Sequence, residues 1–124
     1  MGARGGGGSS ATAHAALRAG LDRLQSKYRL SGAGYFGRKG AGKKVRIISS
    51  SDPHRAAEDF WKRLKGQLTE SQTDNGKGLQ IKFPDGSSAV FRPFTSTFNS
   101  PAITLDVATP GLGIATYQRI HFTK

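Results

Sequence analysis

Proton transfer near neutral pH falls most naturally to histidine, whose unperturbed pKa is about 6.5. The chain has three, His14, His54 and His121. His121 stands in the segment Gln118–Phe122, where Ile120 and Phe122 alternate with Arg119 and His121. Upstream lie the cations Lys82 and Arg92 and the hydroxyl run Thr95-Ser96-Thr97. Together these types fit cleavage of an RNA phosphodiester without a metal. That chemistry needs a base for the 2′-OH proton, an acid for the leaving oxygen, and cations on the phosphorane. His121 can serve as acid or base, Arg92 and Lys82 can hold the phosphate, and Thr95, Ser96 or Thr97 can bond a non-bridging oxygen. Tyr117 is a further candidate donor. His54, at the second position of a helix start, can meet an anion at the helix N-terminus. Each has an ordinary role beside the chemical one: a surface histidine, a solvated strand cation, an ST-turn.

The elements that must position these groups follow from local pattern. Residues 1–10 are Gly-rich and read as a flexible linker joining residues 11–124 to something else. Leu17, Leu21, Leu24 and Tyr28 form a one-faced stripe, which predicts a helix over residues 11–30, with Gly20 as a weak point. Residues 31–42 form a Gly-rich basic loop in which Tyr35 and Phe36 are either base-stacking platforms or loop anchors. Residues 44–49 predict a short strand. Asp52-Pro53 then signals a helix start, with Asp52 as N-cap and Gly66 as the stop. Ala57, Phe60, Trp61 and Leu64 make its buried stripe. Residues 67–77 read as a loop, and strands are expected at 79–83, 87–94, 102–107 and 118–122.

The turn Pro84-Asp85-Gly86 sets the register of the central hairpin. A three-residue loop pairs Lys82 with Ser88, Ile81 with Ala89, Gln80 with Val90 and Leu79 with Phe91. The open face then displays Lys82, Arg92, Thr104, Arg119 and His121. A two-residue loop would turn Arg92 to the core instead. The expected fold is α+β, with N-terminal helices packed on a four- to five-stranded antiparallel sheet. His121 is expected to point outward and to add little to core packing.

A net charge of +11 argues for an anionic partner. Fourteen of the 19 Lys and Arg precede Gln67, so the basic footprint is N-terminal. Arg38, Lys39, Lys43, Lys44, Arg46 and Arg119 are the candidate RNA contacts. With no cysteine, disulfides, thiolate catalysis and Cys-type zinc sites are excluded. No histidine or carboxylate spacing suggests a metal ligand set, and no cofactor is expected. Gly42-Lys43-Lys44 leads into a strand rather than a helix, so it is not a P-loop. No transmembrane run or signal peptide is visible.

Several segments resemble the C-terminal toxin domains of bacterial polymorphic and contact-dependent inhibition systems. These are Ser51-Asp52-Pro53-His54-Arg55-Ala56-Ala57-Glu58-Asp59-Phe60, Ile81–Ser87, Val90–Ser96 and Arg119–Phe122. Many such domains are ribonucleases of the barnase/EndoU/colicin/RelE superfamily. The resemblance implies helices on an antiparallel sheet, metal-independent cleavage of tRNA or another structured RNA, and catalysis by His121, Arg92 and a hydroxyl near Thr95–Thr97. It also implies an acidic immunity protein as partner, a monomer with no stable membrane association, and delivery as the end of a larger secreted or surface effector into a target-cell cytoplasm. The competing expectation is a basic RNA-binding domain without turnover; a toxin acting on DNA or on membranes ranks below both.

With so many cations in the first half, RNA affinity is expected to fall steeply with salt, by about 0.7–0.9 log units per phosphate contact for each tenfold rise in salt. Deleting residues 1–10, which hold only Arg4 among the cations, should leave that slope unchanged. Filter binding or anisotropy across a salt series measures it; a flat response would remove the basic half from the docking surface.

Overall fold

The structure, a computed structural model, describes residues 10–42, 44–95 and 99–124. The expected linker lies outside them except for Ser10, which opens the first helix; Lys43, Ser96 and Thr97 also lie outside. Helix α1 spans Ser10–Gln25 and helix α2 spans Pro53–Lys65. The strands are β1 (Arg38–Lys39), β2 (Val45–Ser49), β3 (Ser71–Gln72), β4 (Leu79–Lys82), β5 (Ser88–Arg92), β6 (Ala102–Asp106) and β7 (Tyr117–Thr123). They form one sheet in the order β1-β2-β7-β6-β5-β4-β3.

The fold is α+β, but the sheet has seven strands rather than four or five. Two of the additions, β1 and β3, are two-residue edge strands in segments expected to be loops. The larger correction concerns β2. It does not extend the antiparallel meander; it pairs in parallel with β7, Ile47 opposite His121 and Ile48 opposite Phe122. The chain reaches this arrangement through α2, which crosses one face of the sheet and packs on β6 and β7.

Helix α2 forms where its signals stand. The Asp52 carboxylate accepts from the Arg55 N–H at 3.2 Å, Pro53 takes the first turn, and Gly66, at φ 52, closes the helix with its N–H on the Lys62 carbonyl. Ala57, Phe60, Trp61 and Leu64 are buried. Phe60 is the hub: the rings of Tyr28, Phe36 and Phe122 lie 5.1, 5.2 and 5.5 Å from it. Trp61 packs on Phe91 and donates its indole N–H to Glu70.

Helix α1 is shorter than its stripe suggests. After Gln25 the chain passes through a final turn, and Leu30 leaves to bridge Phe36. Tyr28 still completes the stripe, and its hydroxyl donates to Asp59 at 2.8 Å. Asp59 also receives Lys27 and Arg63 at 3.2 and 2.9 Å, tying the end of α1 to α2. Burial opposes the Asp59 carboxylate, but these hydrogen bonds outweigh it and hold its pKa below the usual value.

The hairpin register is the one the turn dictates. Leu79 faces Phe91, Gln80 Val90, Ile81 Ala89 and Lys82 Ser88, around Gly86 at φ 94. Asp85 holds the turn by accepting from the Ser87 N–H and hydroxyl, both at 2.9 Å.

Gly20 is the place where α1 meets α2. A Cβ there would collide with the Leu64 carbonyl oxygen, so the glycine sets the interhelical approach. Gly20→Ala should gain about 1 kcal/mol of helix propensity and lose more to the clash, for a net loss of about 1–3 kcal/mol. Thermal melting checks this; an unchanged or raised Tm would show that the helices separate at no cost.

Candidate functional site

The helices cover one face of the sheet, and the residues between the buried positions occupy the other. Cross-strand pairing arranges that open face in rows. One row reads Arg38, Ile47, His121, Ala102, Arg92 across β1, β2, β7, β6 and β5. The next reads Val45, Arg119, Thr104, Val90, Gln80. A third reads Tyr117, Asp106, Ser88, Lys82.

This arrangement sorts the candidates. His121 and Arg92 share a row two strands apart, roughly 10 Å between Cα atoms, and Arg38 stands two strands away on the other side. Arg119 and Thr104 flank them in the neighbouring row. Between His121 and Arg92, Ala102 presents only a methyl group, which leaves room for the longer side chains. Lys82 is three strands and two rows from His121, roughly 20 Å, and so is not brought to the same point. Tyr117 is also two rows away, opposite Asp106.

His121 is on the open face, as alternation requires, but it is only 1% exposed. The expectation of a solvated outward histidine with no packing role therefore fails. Its cross-strand neighbours are Ile47 on one side and Ala102 on the other, since β7 is an interior strand. Burial lowers its pKa below the ordinary histidine value, and the positive charge of Arg119 adds to the shift. The ring is held neutral, the state a base requires.

Arg92 is half-buried, and its Nε has no hydrogen-bond partner among the described residues. A buried guanidinium nitrogen without an acceptor is costly, and an anionic oxygen over the face would satisfy it. Thr95 bonds the Ser100 carbonyl through both its N–H and its hydroxyl, at 3.0 and 2.9 Å, and so closes the β5–β6 connection.

Arg46 is turned to the helix side. It donates to the carbonyls of Phe36 and Gly37 at 3.1 and 2.9 Å, with its guanidinium 4.9 Å from the Tyr35 ring centre. Tyr35 and Phe36 are themselves buried, which makes them loop anchors rather than stacking platforms. Arg38, Lys39 and Lys44 are exposed along the β1–β2 edge. There Lys27, Arg29 and Arg38 border a cleft of about 500 Å³ floored by Ile47 and Ile48. His54 is exposed at the start of α2, with its ring 5.6 Å from that of Phe94. His14 lies within 3.1 Å of the Thr109 hydroxyl.

Sequence reasoning named Arg38 as an RNA contact in a loop, not as a member of the His121 row, and passed over Ile47, Ala102 and Ser100 as site residues. The places of Arg38 and Ile47 beside His121 depend on β2 pairing with β7, for which no local pattern exists. Among the described residues, no three His, Cys, Asp or Glu side chains gather to hold a metal ion, and no helix is long and apolar enough to cross a membrane.

Because the folded state resists protonating His121, the unfolded state binds its proton first as pH falls. Stability should be complete above about pH 6.5 and decline below it, toward the lowered folded pKa. Asp59 acts in the same direction only below about pH 4. Melting curves between pH 7.5 and 5 should show the decline, and His121→Gln should flatten it. An equal decline in the variant would assign the effect elsewhere.

Compared with known protein families, with curated proteins and with solved structures, the chain matches none.

Proposed function

We propose that this domain is a metal-independent endoribonuclease of the toxin kind, with the open sheet face as its active surface. The observation that carries it is the row in which a neutral, buried His121 stands between Arg38 and Arg92, with Arg92 Nε lacking an acceptor among the described residues. In the proposed step His121 takes the proton of the 2′-OH. The 2′-oxygen bonds to phosphorus, the bond from phosphorus to the 5′-oxygen breaks, and water protonates the leaving oxygen. Arg92 and Arg119 offset the charge that builds on the phosphorane. The product is a 2′,3′-cyclic phosphate.

The two helices on one face, and the cations and histidine on the other, support a place among barnase/EndoU/colicin/RelE-like nucleases. With that place come a structured RNA such as tRNA as substrate, an acidic immunity protein as partner, and delivery within a larger effector to a target-cell cytoplasm. The basic β1–β2 edge supplies a path for the RNA backbone toward the His121 row.

A second function is favoured by one observation. At 1% exposure, the His121 ring must be uncovered before it can touch RNA. If it stays sealed, the same face binds RNA without cleaving it.

Total RNA incubated with the purified chain in EDTA should be cut, leaving cyclic or 3′-phosphate ends. His121→Gln should lower the rate by about 100- to 10,000-fold. Arg92→Ala should lower both rate and binding, since a phosphate cation acts in ground and transition states alike. His54→Ala should be milder than either. An absolute divalent requirement or 3′-OH ends would overturn the chemistry, and binding without cleavage would leave the RNA-binding function.

A further inference from the structure

Phe94 is the one large hydrophobic side chain exposed among the described residues, at 63%. An aromatic ring in water forfeits burial that a neighbour or ligand could supply. Beside His54, whose ring it meets at 5.6 Å, lies a cleft of about 310 Å³ between the start of α2 and the end of β7, near the lower limit for a small-ligand site. His54 links the two: it lines the cleft and meets the Phe94 ring at 66°.

The cleft is polar where Phe94 is not. Ser100 lines it at 5% exposure, and the Ser100 hydroxyl has no hydrogen-bond partner among the described residues. Buried hydroxyls are nearly always satisfied, so one left open at a cleft wall favours a polar occupant. Asn99, held in the left-handed region at φ 50, brings a carboxamide able to donate and accept. Lys124 brings a cation. The first turn of α2 is not offered to a phosphate, because the Asp52 carboxylate already occupies the Arg55 N–H. These features suit a planar ring with hydrogen-bonding edges better than a free phosphate.

The location is equally specific. Thr123, in the cleft wall, follows His121 by two residues on the same strand face. The cleft therefore begins roughly 7 Å from the His121 row, within reach of the neighbouring nucleotide.

We propose that this cleft receives one unpaired RNA base, stacked on Phe94, beside the phosphate held at the His121 row. The proposal rests on the RNA function above and narrows the substrate: a strand unpaired at that nucleotide is favoured, because a base within a duplex must first be unpaired and unstacked, at a cost of a few kcal/mol, to reach the ring.

The test uses the full chain and a 2′-O-methylated RNA, which cannot be cleaved by its own 2′-oxygen, carrying 2-aminopurine. It is presented single-stranded and as a duplex. The single strand should bind more tightly and its fluorescence should be quenched by stacking. Phe94→Ala should weaken single-strand binding by about ten-fold and abolish the quench, with duplex binding unchanged; Phe94→Trp should restore both. Because Phe94 is exposed, melting should show the variants folded. If the wild-type chain binds single strands and Phe94→Ala matches it in affinity and quench, the base site is overturned and RNA binding stands. If the wild-type chain binds neither RNA, the RNA function falls, and the base site with it.

Discussion

The parallel pairing of β2 with β7 is the constraint on which the rest depends. It makes β7 an interior strand, bonded on one side to β2 and on the other to β6. Strand alternation then divides its residues without compromise. Gln118, Ile120 and Phe122 face the helices, each at 0% exposure; Arg119 and His121 face the other way. A one-residue slip would exchange the two sets, placing a histidine and an arginine against Phe60. Gln118 guards against that slip from the core side. Its carboxamide accepts the Phe36 N–H at 2.9 Å and donates to the Gly34 carbonyl at 3.0 Å, fixing the loop before β1 to one position on β7.

The two faces treat buried polarity differently. On the helix side, Gln118 and Arg46 have their polar atoms answered by backbone carbonyls or N–H groups. On the open side Arg92 Nε, and in the cleft beside the start of α2 the Ser100 hydroxyl, are buried without a partner among the described residues. Each such group costs about 1–3 kcal/mol, a large share of the stability of a small domain. A sequence free to choose would replace them. An anion bound at Arg92, or a polar group bound at Ser100, would recover part of that cost.

What could be read in advance was whatever short segments decide for themselves. Asp52-Pro53 with Gly66 delimits α2, and Pro84-Asp85-Gly86 sets four strand positions on each side of a turn, so both were legible. The parallel pair was not, because β2 and β7 are separated by most of the chain and nothing in Val45–Ser49 names its partner. That omission carried into the site. Alternation gave the direction of His121 correctly but not its burial, which is a property of the tertiary structure around it. Arg46 was legible as a cation and not as a loop anchor, since its acceptors belong to Phe36 and Gly37. The short strands β1 and β3 exist only because a sheet edge is present to pair with.

The charge asymmetry also changes meaning once the layers are known. The N-terminal half holds most of the cations, but many sit on α1 and α2, among them Arg18, Lys62 and Lys65. They lie on the side of the sheet away from His121. With a Debye length of about 8 Å at physiological ionic strength, charges across a layer of helices cannot hold a phosphate at the opposite face. They can raise the encounter rate with a polyanion. Arg38, Lys39 and Lys44 are differently placed, because the β1–β2 edge joins the two sides and Arg38 belongs to the His121 row itself. A long anion captured by the helices could follow this edge onto the open face. The residues that position it for chemistry would then be the few on the sheet, Arg38, Arg92 and Arg119, rather than the many that give the chain its net charge.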